Sequence, residues 1–95
     1  MNHTIERRLA EQLNLTLPAP ASPAGSYVPV VRAGALAFVS GQLPMADGKL
    51  TCCGKVGADV SLADAAAAAR MAALSGLAAL KAKLGTLDTI ARVVK

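Results

Sequence analysis

Apolar and polar positions follow three rhythms along this chain, and each predicts a different element. The first has a period near four. Ile5, Leu9 and Leu13 form one stripe of an amphipathic helix running from Ile5 to about Leu13, with Thr4 as its cap. Residues 18–25, PAPASPAG, then break the pattern: four of the eight are Pro or Gly, which suits neither helix nor central strand. Too little chain precedes this stretch for it to link two domains, so it reads as an extended lead-in.

The second rhythm is that of strands. Tyr27–Arg32 (YVPVVR) predicts one strand, which Pro29 confines to an edge or an irregular position. Ala33-Gly34 reads as a turn and Leu36–Gln42 as a second strand, making a hairpin that Pro44 ends. Asp47-Gly48, inside Ala46–Lys49, signals a second turn, and Lys49–Gly54 a short returning strand.

The third rhythm, again helical, is the longest. Leu62, Ala66, Ala69, Ala73, Leu77, Leu80 and Leu84 step by threes and fours, predicting a helix from Leu62 to Leu84 that buries this stripe on a sheet. Ser61 is its cap, with Asp64 at the third helical position. Lys81 and Lys83 lie in the last turn and Gly85 stops it. The opposite face carries Met71, Ser75, Ala78 and Ala82 and few charges. It is either a lightly polar exposed face or one covered by another chain. Thr86-Leu87-Asp88 is a short linker, and Ile90–Lys95 (IARVVK) predicts a last strand. The order is that of a single α/β unit, residues 1–95. Residues 1–23 are a helical and proline-rich lead-in, and 24–95 a β-β-(β)-α-β core.

Composition adds a constraint. With one Phe, one Tyr and no Trp, the core is built from Ala, Leu and Val, which bury little area each, so self-association is expected. The net charge of +4 is scattered rather than gathered in an arm or stripe, which points away from nucleic acid. No apolar run approaches the ~20 residues of a membrane span without charge or helical periodicity, so no membrane is expected. No secretory signal is visible, and Cys52-Cys53, the only cysteines, suit a reducing cytoplasm better than a strained vicinal disulfide. They lack the further ligands zinc requires, so no metal is expected. His3, the only histidine, reads as a solvated residue near the terminus.

The candidate chemistry lies at the end of the second strand. In FVSGQLP, residues 38–44, alternation places Leu36, Phe38, Ser40 and Gln42 on one face, which turns from apolar to polar along its length. The apolar part belongs in a core and the polar part at a rim. Gly41 leaves its backbone open to close approach. A hydroxyl, a bare backbone and an amide suit a small polar ligand. Alternatively, Ser40 and Gln42 bond neighbouring loops and Gly41 relieves crowding.

The run GSYVPVVRAGALAFVSGQLP, Gly25–Pro44, closely resembles the N-terminal part of the Rid family, the reactive-intermediate deaminases also called YjgF or L-PSP endoribonuclease proteins. The shared elements are Gly25 and Tyr27, then Ser40-Gly41-Gln42-Leu43-Pro44, Gly57, the helix from Leu62, and Gly85 with Asp88. The resemblance covers roughly residues 24–95. It implies a chorismate-mutase-like (bacillus type) α/β fold, a β-sheet packed by a long helix and incomplete in this chain. It also implies a homotrimer whose intersubunit clefts bind small carboxylic acids. Active members hydrolyse enamines and imines such as 2-aminoacrylate to 2-keto acids and ammonia, without metal or organic cofactor. The chain would then be a hydrolase of the 2-iminobutanoate/2-iminopropanoate deaminase type. The resemblance carries ligand contacts over to Tyr27 and Ser40, with Gly41 and Gln42 beside them. The family's carboxylate-binding arginine and later glutamate lie in a C-terminal half absent from this sequence, and Arg32, Arg70 and Arg92 do not match that motif. No catalytic residue is therefore assigned. Two readings follow: part of a longer product, or a short form without catalysis that binds small carboxylates. Endoribonuclease or translation-inhibitor activity, ascribed to some relatives, ranks below both.

Overall fold

The computed structural model describes residues 3–20 and 28–95. Its elements run α1 (Thr4–Gln12), β1 (Val30–Ala33), β2 (Leu36–Val39), β3 (Met45–Ala46), β4 (Lys49–Leu50) and α2 (Leu62–Leu84), closed by a 3₁₀ turn at Leu87–Thr89. β1 and β2 form an antiparallel hairpin with Val30 opposite Val39 and Val31 opposite Phe38. β3 and β4 form a second, separate hairpin across Asp47-Gly48. Asp47 (φ 52°) and Gly48 (φ 77°) both occupy the left-handed region that a tight two-residue hairpin turn demands. The predicted return strand is shorter than Lys49–Gly54, because pairing stops at Leu50.

The long helix has the predicted limits. The Asp64 N–H donates to the Ser61 hydroxyl at 3.1 Å, and Gly85 ends the helix at φ 87° with its N–H on the Lys81 carbonyl. By length and composition alone α2 could cross a membrane. Arg70 sits within it, however, and a charged side chain at mid-bilayer costs ~3 kcal/mol.

The face that α2 buries is not the predicted one. Ser75, Ala78 and Ala79 are buried, with Met71 and Ala72 half-buried beside them. Leu62 is 79% exposed, and Ala66, Ala69 and Ala73 are exposed too. The reason is distance rather than hydrophobicity. Small side chains let the helix axis approach the β1–β2 hairpin closely, and dispersion contacts fall off steeply with any gap. A Cβ on Gly76 would meet Gln42 Cγ at 3.7 Å and Val39 Cγ1 at 3.9 Å, ordinary contact distances. Gly76→Ala is therefore expected to stabilise the protein by about 0.5–1 kcal/mol through helix propensity, read as a higher denaturation midpoint. A fall would mean the contact is tighter than this geometry.

The core is small: Val30, Val60, Ala78, Ala79 and Leu87, with Ser75 and Thr86. It sits where the inner face of the hairpin meets α2 and the 3₁₀ turn. The outer face of the hairpin, expected to enter a core through Leu36 and Phe38, instead leaves them 51% and 57% exposed, with Val31 50% exposed opposite Phe38. The predicted strand Ile90–Lys95 is also absent: beyond the 3₁₀ turn the chain pairs with nothing among the described residues, and Val93 is 82% exposed. Strands are stabilised by their neighbours, so a β-branched run without one stays irregular.

The first helix begins at Thr4, but Thr4 does not cap it. His3 takes the cap position in a left-handed conformation without a side-chain bond. The N–H groups of Thr4 and Ile5 donate instead to the two carboxylate oxygens of Asp88, each at 2.7 Å. In return, the Glu6 carboxylate accepts from the Leu87 N–H at 2.5 Å and from the Thr86 hydroxyl at 3.2 Å. Each helical segment thus supplies the acid that satisfies the other's free N–H groups, and the anion at each N-terminus meets a favourable dipole.

Candidate functional site

Of the predicted ligand contacts, the structure describes Ser40, Gly41 and Gln42; Tyr27, like Gly25, lies outside the described residues. β2 ends at Val39, so these three residues form an irregular segment rather than the end of a strand. The face alternation expected for them stops there. Gln42 shares the helix side with Val39, where both come near Gly76 of α2.

The segment is anchored at its start. The Ser40 N–H donates to the Pro29 carbonyl at 2.9 Å, and the Ser40 hydroxyl donates to the same oxygen at 3.2 Å. That hydroxyl has given its proton and keeps lone pairs to accept with. The Gln42 amide donates to the Ser40 carbonyl at 3.2 Å, while its carbonyl oxygen has no partner among the described residues. Ser40 thus bonds the segment that precedes β1, as the reading of bonds to neighbouring loops expects, whereas Gln42 bonds within its own segment.

Gly41 departs from that reading. It is exposed, and a Cβ built on it would meet nothing within 4 Å, so it relieves no crowding. The result is an open backbone position between two half-buried polar residues, at the mouth of the hairpin. Neutral N–H and amide donors there suit a carboxylate, though each such bond is weaker than a charge-assisted one from a guanidinium. The apolar residues Val31, Leu36 and Phe38 lie exposed on the outer face of the same hairpin.

A second concavity was not legible in the sequence. Thr51, Cys52, Cys53, Asp59, Val60, Asp64, Ala67, Ala68 and Met71 line an open cleft of about 440 Å³ on the N-terminal half of α2. The adjacent cysteines were its one sequence signal, but nothing local links them to Asp64 or Met71. No group of three His, Cys, Asp or Glu residues among those described is placed to hold a metal ion. His3 Nδ1 stands 3.3 Å from Glu6 Oε2 but makes no hydrogen bond among the described residues, and its side chain is 46% exposed.

Comparison with known proteins gives a consistent picture. The family model described as "YjgF/chorismate-mutase-like, putative endoribonuclease" matches residues 6–95. The chain is 42% identical over 85 residues to Protein TCP17 of Trypanosoma cruzi, covering 90% of this chain and 53% of that one. Among solved structures it resembles Atu1372 of Agrobacterium tumefaciens, of unknown function, with a TM-score of 0.78 and 47% identity over 94% of this chain and 52% of that one. It also resembles a putative endoribonuclease of Shewanella oneidensis, with a TM-score of 0.81 and 38% identity over 87% and 54% of the two chains. The chain therefore spans about half the length of these relatives.

Proposed function

The chain belongs to the YjgF/chorismate-mutase-like family and has its α/β fold, and on that premise we propose that it contributes to the hydrolysis of 2-imino and 2-enamino acids such as 2-aminoacrylate. An enamine first takes a proton on its terminal carbon and gives one up from nitrogen, becoming the imine. Water then adds to the C=N carbon, the water oxygen becomes the keto oxygen, and the nitrogen leaves as ammonia. The observation that carries this reading is the open backbone at Gly41 between Ser40 and Gln42, a place where a small planar acid can come against N–H and amide groups. Ser40 offers lone pairs toward an imine or enamine N–H, and Gly41 and Gln42 offer donors toward the carboxylate. Tyr27 joins them by family resemblance.

The rest of the site comes from elsewhere in our reading. A guanidinium for the carboxylate and a path for the proton are required for efficient turnover, and no residue here is assigned either role. We propose that copies of the protein assemble as a trimer in the cytoplasm. The exposed outer face of Val31, Leu36 and Phe38 supports such an association, since apolar area of this kind is stabilised when covered. The same geometry without the missing groups would give a non-catalytic binder of small carboxylates.

The test is ammonia release from enzymatically generated 2-aminoacrylate, with pyruvate as the paired product. We expect acceleration over the spontaneous reaction that falls on Ser40→Ala substitution. Binding of 2-ketobutyrate without acceleration would support the non-catalytic reading, and neither binding nor acceleration would contradict both. Cleavage of RNA is the alternative that the family's description suggests. The chain's single phenylalanine and scattered charge give it little basis for base stacking.

A further inference from the structure

The cleft beside Cys52 and Cys53 lies apart from Ser40–Gln42 and has chemistry of its own. Both cysteines are free thiols; Cys52 is half-buried and Cys53 exposed. The loop carrying them is tied down just before the pair. The Thr51 N–H and hydroxyl both donate to the Pro44 carbonyl, at 2.8 and 2.9 Å, and the hydroxyl lies 3.4 Å from Met71 Sδ on α2. Val60, Ala67, Ala68 and Met71 give the cleft an apolar wall, and Asp59 and Asp64 an acidic one. The Asp59 carboxylate is held by the Lys55 N–H at 3.1 Å.

These groups narrow the ligand class. The volume, about 440 Å³, suits a small organic molecule. Zinc requires about four ligands, and no group of three suitable residues is present among those described. A bis-thiolate complex of a monovalent soft metal adds negative charge beside two carboxylates, which is unfavourable in a partly enclosed site. A disulfide between neighbouring residues is strained. A trivalent arsenic centre avoids all three difficulties. It needs only two sulfur ligands, forms a neutral product, and carries a third substituent that can lie on the apolar wall.

We propose that this cleft captures trivalent organoarsenicals, R–As(OH)₂, with Cys52 and Cys53 as the arsenic ligands and the wall formed by Val60, Ala67, Ala68 and Met71 as the seat of R. Two As–S bonds form and two As–OH bonds break. The two thiol protons leave with the hydroxides as two molecules of water, and no atom changes oxidation state.

Phenylarsine oxide, which hydrates to the dihydroxide, is the probe. Incubated with the reduced protein and read by intact mass, it is expected to add one phenylarsenic group per chain in place of two hydrogens. Cys52→Ser and Cys53→Ser are each expected to abolish the adduct. Ala67→Gln, at an exposed helix position, is expected to weaken phenylarsine binding about fivefold and to leave arsenite binding unchanged, with circular dichroism confirming the fold. Failure of the folded protein to form the adduct, or its persistence in either serine variant, overturns the dithiol assignment. Equal phenylarsine affinity in Ala67→Gln overturns the role of the wall. None of these outcomes depends on imine hydrolysis.

Discussion

Replacing Glu6 with alanine is expected to lower the melting temperature by roughly 10 °C and to reduce helical content as α1 detaches. Thr86 and Leu87 are the most buried residues described, each 1% exposed, and the Glu6 carboxylate is what satisfies the Leu87 N–H. The Thr86 hydroxyl donates to that same carboxylate. Alanine strands both donors in the interior, where an unsatisfied polar group costs about 1–3 kcal/mol. A domain of this size loses about 4–8 °C per kcal/mol. Glu6→Gln keeps an acceptor for the Leu87 N–H and is expected to lose much less. Calorimetry on the two variants checks the order; equal losses would show that charge rather than hydrogen bonding holds the junction.

The same junction has a pH dependence with a definite sign. Burial presses the Glu6 carboxyl upward, but the Leu87 N–H, its own backbone N–H and the Thr86 hydroxyl outweigh it and hold the group below its ordinary value. The N–H groups of Ile5 and then Thr4 hold Asp88 below its ordinary value as well. Groups lowered on folding contribute stability that is complete above the ordinary carboxylate range and is lost as pH falls through the folded values. Docking of α1 is therefore expected to be intact at neutral pH and to weaken below about pH 4. Glu6→Ala should flatten that acid loss.

Gly41→Val has the opposite profile. Nothing lies within 4 Å of the added Cβ, and the backbone there is outside the left-handed region, so stability is expected to change by less than about 0.5 kcal/mol. The branched side chain nevertheless stands over the N–H that the proposed ligand uses. Loss of about one hydrogen bond, ~1.4 kcal/mol, gives a tenfold weaker dissociation constant for 2-ketobutyrate. Isothermal titration beside thermal melting separates the two effects. A variant that melts early, or one that binds normally, contradicts the account of this position.

Local chemistry made much of the fold legible. Ser61, Asp64 and Gly85 set the limits of α2 because caps act within a turn of the residues they satisfy. Asp47-Gly48 set the second hairpin for the same reason. Failures came where the deciding partner is distant in sequence. Asp88 caps a helix that starts 84 residues earlier, and Thr4, the local candidate, does not. The leucine stripe of α2 marked the more hydrophobic face, yet burial is deepest at Ser75, Ala78 and Ala79, beside Gly76, which comes near Val39 and Gln42. Ile90–Lys95 had the composition of a strand without a neighbour to make it one. At the site, Ser40, Gly41 and Gln42 were legible as a motif. Their exit from the strand after Val39, which turns Gln42 toward α2, was not.

In the proposed function the ligand comes against the backbone between Ser40 and Gln42. Backbone amide shifts during titration with 2-ketobutyrate test it most directly. The account predicts the largest perturbations at Ser40, Gly41 and Gln42, abolished in Gly41→Val. Perturbations confined to Thr51–Cys53 and the start of α2, or none at saturating ligand, would contradict it.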